Sequence, residues 1–141
     1  MLSRKTKYGL KALSYLAREN SDDPVQIVII SEAENISQKF LESILLILKK
    51  AEILQSKKGK GGGYFLAKPA SEITIASVLR VLEGPIALVP YVSLNFYQTC
   101  DDCPDEEACS VHKLMVKVRD TNLNIFENTT LADLVDRKPK D

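Results

Sequence analysis

The sequence predicts a mainly α-helical chain with one small β-hairpin, and three observations carry that prediction. Apolar residues recur at helical spacing in several separate segments. Four glycines in the run Gly59-Lys60-Gly61-Gly62-Gly63 separate two short strand-like stretches. A long helical pattern from Ser110 to Glu127 carries more apolar surface than one core face needs. With 141 residues, 45% hydrophobic and 27% charged, the chain has material for one ordinary core plus a short appended element, and too little for a two-domain enzyme.

From Ser3 to Glu19, Leu10, Leu13 and Ala17 keep a helical period beside Tyr8, Ala12, Tyr15 and Leu16, with Ser3 placed to cap the start. The polar run Asn20 to Pro24 breaks this helix. Val25 to Ile30 is β-branched and reads locally as a strand, whereas Ser31 to Asn35 continues it like the end of a helix, so both readings stand. Ser37 caps a strong helix running to Ala51, with Phe40, Leu41, Ile44, Leu45 and Leu48 inward and Lys49-Lys50 at its negative end. Two strands, Leu54 to Lys58 and Tyr64 to Ala67, flank the glycine run. Ile75, Val78, Leu79 and Leu82 define a helix from Thr74 to Glu83, stopped by Gly84-Pro85. Residues 86–99 show no clear period. In the long helix one stripe holds Val111, Leu114, Met115, Val118 and Ile125 and another Val116, Leu123 and Phe126, and a second molecule is the simplest cover for the surplus. Thr129 or Thr130 caps a last short helix, Leu131 to Val135, before a charged tail.

Net charge is zero but unevenly spread: residues 1–68 carry 12 Lys+Arg against 7 Asp+Glu, and residues 69–141 carry 7 against 12. The front half is therefore suited to a polyanion. A helix pair joined by the short link Asn35-Ile36-Ser37 and followed by a basic, glycine-tipped hairpin is the arrangement of a winged helix-turn-helix. Ser37, Gln38, Lys39 and Glu42 form the polar first turn of the second helix, where backbone amides favour phosphate and Gln and Lys reach base edges. Lys57, Lys58 and Lys60, with Gly61, Gly62 and Tyr64, form a hairpin tip able to approach a DNA backbone closely. The glycine run is not a nucleotide-binding loop, because it lacks the Lys-Ser/Thr ending and the strand-to-helix context. The expected organisation is a winged helix-turn-helix over residues 1–84, a cysteine-bearing connector over 85–109, a dimerisation helix with the short terminal helix over 110–135, and a tail over 136–141.

All three cysteines and the one histidine fall in Cys100-x2-Cys103-x5-Cys109-x2-His112, among five acidic residues. Thiolates and imidazole suit zinc or an iron-sulfur cluster, and so tight a group is no disulfide framework. A redox pair at Cys100 and Cys103 would want a helix N-terminus at the pair, which Pro104 and the flanking acids do not supply. With the only histidine in that group, no nucleophile, base and orienter set exists elsewhere, so no enzyme and no small-molecule substrate is expected. No apolar run reaches the length of a membrane span and no basic leader opens the chain, so a cytoplasmic protein is expected.

The run Ser3 to Leu13, Asn35-Ile36-Ser37 with Phe40-Leu41-Glu42, Gly59 to Leu66, and the late cysteines together resemble the Rrf-two (Rrf2) family of bacterial winged-helix transcription regulators, of the IscR and NsrR types, over about Leu2 to Val135. The resemblance implies a homodimer joined through the long helix, binding palindromic promoter DNA, read here as a repressor. It implies an iron-sulfur cluster on Cys100, Cys103, Cys109 and His112, [2Fe-2S] in preference to [4Fe-4S] or zinc, that senses redox state, iron-sulfur supply or nitric oxide. It also resolves Ile27 to Glu34 as the first helix of the helix-turn-helix. The chain departs from the pattern in three places. Only two residues separate Cys100 from Cys103, where the IscR type has five. Lys7-Tyr8 stand where the NsrR type offers a carboxylate, and Glu52 replaces the usual glycine after the recognition helix.

Overall fold

The computed structural model describes residues 2–19, 23–87, 92–94 and 109–135. Its helices are α1 (Arg4–Glu19), α2 (Ile27–Glu34), α3 (Gln38–Lys50), α4 (Ile75–Leu82), α5 (Ser110–Asn128) and α6 (Leu131–Val135). Strands β1 (Leu54–Lys57) and β2 (Gly63–Leu66) pair antiparallel, with Leu54 opposite Leu66 and Lys57 opposite Gly63. A 3-10 turn, Ala70–Glu72, leads into α4. This is the mainly α, winged helix-turn-helix arrangement that the sequence predicts.

Caps set the helix starts. The Ser3 hydroxyl accepts the Thr6 amide at 3.2 Å, Ser37 accepts that of Phe40 at 3.2 Å, and Thr74 accepts that of Ser77 at 3.2 Å, each satisfying a first-turn donor that has no helical partner. Before α6, Thr130 and Asp133 cap each other reciprocally, each side chain accepting the other's amide. Thr130, rather than Thr129, is therefore the cap.

The β-branched run Val25 to Ile30 splits. Val25 and Tyr64 exchange two backbone hydrogen bonds of 2.8 Å, so the segment entering α2 adds one rung to the hairpin, and Ile27 then begins a helix whose Ile30 is fully buried. Asn35 ends α2 with a left-handed backbone, φ 54°, while the Ile36 amide closes back on the Ser31 carbonyl. Glu52 repeats this ending after α3 at φ 63°, with the Ile53 amide bonded to the Leu48 carbonyl. A side chain in this conformation is strained where glycine is not. Glu52→Gly is therefore expected to raise the unfolding free energy by about 0.5 to 1 kcal/mol, read as a higher denaturant midpoint at unchanged slope.

The core gathers Leu13 and Leu16 of α1, Leu41, Ile44, Leu45 and Leu48 of α3, Leu54 of β1, and Val78, Leu79 and Leu82 of α4. Leu131 of α6 lies in the same core, fully buried, and its amide donates to the Ile73 carbonyl at 3.0 Å. The short terminal helix, grouped by sequence with the dimerisation helix, thus completes the core of the winged helix and packs on α1. The last turns of α5 join it through Phe126, which packs on the core, and through the Arg80–Glu127 ion pair at 3.1 Å.

Candidate nucleic-acid interface and cysteine-histidine site

Serine capping and apolar anchoring orient α3 so that its first turn faces outward. Ser37, Gln38, Lys39 and Glu42 are all exposed, while Leu41, Ile44, Leu45 and Leu48 hold the opposite face in the core. Phe40 packs edge-on against Tyr8, ring centroids 5.7 Å apart and planes at 79°. That contact sets the basic first turns of α1 beside the start of α3. Arg4 and Lys7 are exposed there, two cations that the charge asymmetry contained but that the sequence did not assign to the DNA face.

On the hairpin, Lys57, Lys58, Lys60 and Gly61 are exposed. Gly62 is buried within the turn, its amide donating to the Gly59 carbonyl at 2.9 Å, and Tyr64 is half-buried against the core. These last two shape the wing from inside; the lysines form its outer edge. Four further cations and anions tie the scaffold: Arg18 pairs with Glu34 at 3.1 Å, joining α1 to α2, and Arg119 donates to the Val92 carbonyl at 2.8 Å and to Asp120 at 2.7 Å.

Glu83, at the end of α4, was not legible as a site residue. Its Oε2 accepts the Ser3 amide at 3.1 Å, the Ser3 hydroxyl at 2.8 Å and the Thr6 hydroxyl, placing a carboxylate at the positive end of α1. The Thr6 hydroxyl bond, followed by those from Ser3, holds its pKa below the ordinary 4.5 against an opposing effect of burial. Because folding lowers this pKa, the stabilisation is fully present above about pH 4.5 and is lost as pH falls through the folded value. Glu83→Gln is expected to lower the thermal midpoint at neutral pH and to flatten the acid limb of the stability curve, measured by thermal unfolding from pH 7 to pH 3.

Cys109 stands at the N-cap position of α5, half-buried, and His112 follows one turn later on the same helix face, also half-buried with Nδ1 shielded from solvent. The positive end of α5 suits a thiolate there. A soft thiolate and an imidazole converging on one face fit a zinc ion or an iron-sulfur cluster as two of its ligands. Cys100 and Cys103 lie outside the described residues, and among the described residues no three Cys, His, Asp or Glu side chains group as a metal site.

Of the predicted dimer residues, Val111, Leu114 and Ile125 are each 54% exposed and Met115 and Val118 half-buried, whereas Leu123 of the second stripe is buried. The two stripes of α5 thus differ: Leu123 packs inward with Phe126 against the core, while Val111, Leu114 and Ile125 stay uncovered. Among the described residues no helix is long and apolar enough to cross a membrane.

The Rrf2 family model, described as an iron-dependent transcriptional regulator, matches residues 2–137. An rrf2-like HTH-type transcriptional regulator of Rhodobacter capsulatus is 41% identical over 138 residues, covering 96% of this chain and 92% of the relative. The structure of CymR, the global cysteine regulator of Bacillus subtilis, superposes with a TM-score of 0.80 at 29% identity, covering 96% of each chain. T. potens IscR does so with a TM-score of 0.76 at 27% identity, covering 96% of this chain and 86% of that one. A helix-turn-helix with a basic wing, matched along its length, leaves one conclusion: the chain belongs to the Rrf2 family of transcriptional regulators.

Proposed function

We propose that the chain is a homodimeric repressor that reads near-palindromic promoter DNA and whose grip on that DNA is tuned by an iron-sulfur cluster. The observation that carries the cluster is the pairing of Cys109 at the α5 N-cap with His112 one turn on. By sequence, Cys100 and Cys103 complete a set of three thiolates and one imidazole that favours [2Fe-2S]. The relatives named IscR and the family description as iron-dependent support this reading. When bound, such a group supplies a ligand bridge whose presence depends on iron and on oxidants. Its place in this chain is between the wing-bearing unit and the uncovered stripe of α5, so holding Cys109 and His112 together constrains the start of the helix that joins two protomers.

In DNA reading, the exposed first turn of α3 enters the major groove and the wing lysines grip the backbone. Gln38 and Lys39 reach base edges, Glu42 accepts from a base amino group, and Ser37, already committed as a cap, keeps the turn in place. Two-fold pairing through Val111, Leu114, Met115, Val118 and Ile125 presents the two reading helices to successive major grooves.

One set of variants, prepared without oxygen and titrated with promoter DNA at several salt concentrations, tests this reading. Gln38→Ala should reduce base discrimination by about 1 to 3 kcal/mol, and Lys58→Ala or Lys60→Ala should weaken all sequences alike and lower the salt slope by about one phosphate contact each. Cys109→Ala should lose iron and visible colour and change promoter affinity. Wild type and colourless Cys109→Ala binding every operator alike would remove the cluster from the mechanism. A colourless wild type retaining stoichiometric zinc would favour a structural metal instead.

A further inference from the structure

Where α4 ends against α5, a cavity of about 300 Å³ opens between the chain's N-terminal segment, the turn after Glu83 and the inner side of the long helix. Its walls are apolar at Leu2, Leu79, Ile86 and Phe126, and its polar groups are Glu83 and Asn122. The size lies at the lower end of small-molecule sites. Among the described residues, all three hydrogen bonds to Glu83 fall on Oε2, leaving Oε1 without one, and the Asn122 side-chain amide makes none.

An ionised carboxylate with one oxygen still able to accept, beside an amide carbonyl and an apolar wall, selects by charge. It repels a carboxylate, gains little from an alcohol, and matches an ammonium group, whose three N–H donors reach both acceptors and water at once. We propose that this cavity binds a small primary ammonium compound carrying a short apolar body. The ammonium sits between Glu83 Oε1 and Asn122, and the apolar body lies along Ile86 and Phe126. Such a ligand touches α4 of the DNA-reading unit and α5 of the joining helix together. The site does not depend on the cluster or on DNA.

The probe is hexylammonium, compared with 1-hexanol and hexanoate by calorimetry and thermal shift on the protein alone at neutral pH, so failure here leaves the DNA-reading proposal untouched. Hexylammonium is expected to bind one site per chain at least about tenfold more tightly than either analogue. Asn122→Leu, close in shape, should weaken hexylammonium several-fold and leave hexanol unchanged, because Glu83 still supplies the charge, and Ile86→Trp should fill the cavity and abolish binding, both variants being checked for an unchanged unfolding transition without ligand. Equal affinity for hexylammonium and hexanol, undiminished binding to folded Ile86→Trp, or neither heat nor thermal shift at about 10 mM probe would each overturn the proposal. The comparison of the three probes and the test for any binding at all use the wild-type protein and decide the matter even if a variant fails to fold.

Discussion

Leu114→Asp is expected to sediment as a monomer at micromolar concentration and to bind operator DNA at least about a hundredfold more weakly than wild type. Leu114, Val111 and Ile125 leave more than half of their surface in water in a single chain, although Leu123 and Phe126 of the same helix pack inward. Covering a leucine contributes about 1.5 to 3 kcal/mol, and a two-fold interface places each substitution twice. Replacing that gain with two carboxylates facing an apolar seam removes several kcal/mol from association. Each protomer would then read one half-site, without the second set of contacts that a palindrome offers. A Leu114→Asp protein that remains dimeric, with unchanged promoter affinity, would place the interface elsewhere.

Gly63→Ala should damage the attachment of the wing severely. Gly63 has φ 143°, and a Cβ there would overlap the carbonyl of Val25 and come within 2.8 Å of the Gln26 nitrogen. Neither backbone can step aside cheaply, because Val25 and Tyr64 are joined by the paired 2.8 Å bonds that attach the hairpin to the entry of α2. The expected cost is about 3 kcal/mol or more, through strain and the loss of those bonds. Gly61 makes the control: its φ is 76°, but a Cβ there meets nothing within 4 Å, so Gly61→Ala should cost only about 1 to 2 kcal/mol. Urea unfolding of both variants, with operator titration at fixed salt, measures the difference. Equal stability of Gly63→Ala and wild type would remove the hairpin's attachment to α2 from the account of wing geometry.

What the sequence determined by itself was what is local. Ser3, Ser37 and Thr74 begin helices because a hydroxyl reaches an amide three residues on, and that geometry is written in four consecutive residues. The apolar spacing of α3 and α4 chooses their buried faces, and with them the outward turn that carries Ser37, Gln38, Lys39 and Glu42. Most of the candidate DNA face was legible for that reason.

The tertiary structure decided everything whose partner lies far along the chain. Val25 to Ile30, β-branched at every position but Gln26, carries one strand-like signal, and only the distant Tyr64 backbone separates the rung at Val25 from the helix at Ile27. Gly62 and Tyr64 have the composition of a DNA-contacting tip, yet the turn buries the one and the core half-buries the other. Leu131 reads as part of an outlying helix until α1 and Ile73 receive it, and Glu83 reads as a stop residue until it meets Ser3 and Thr6. In each case the deciding free energy is a burial or a hydrogen bond made only when remote segments meet, and no local pattern of residue types encodes which remote segment that will be.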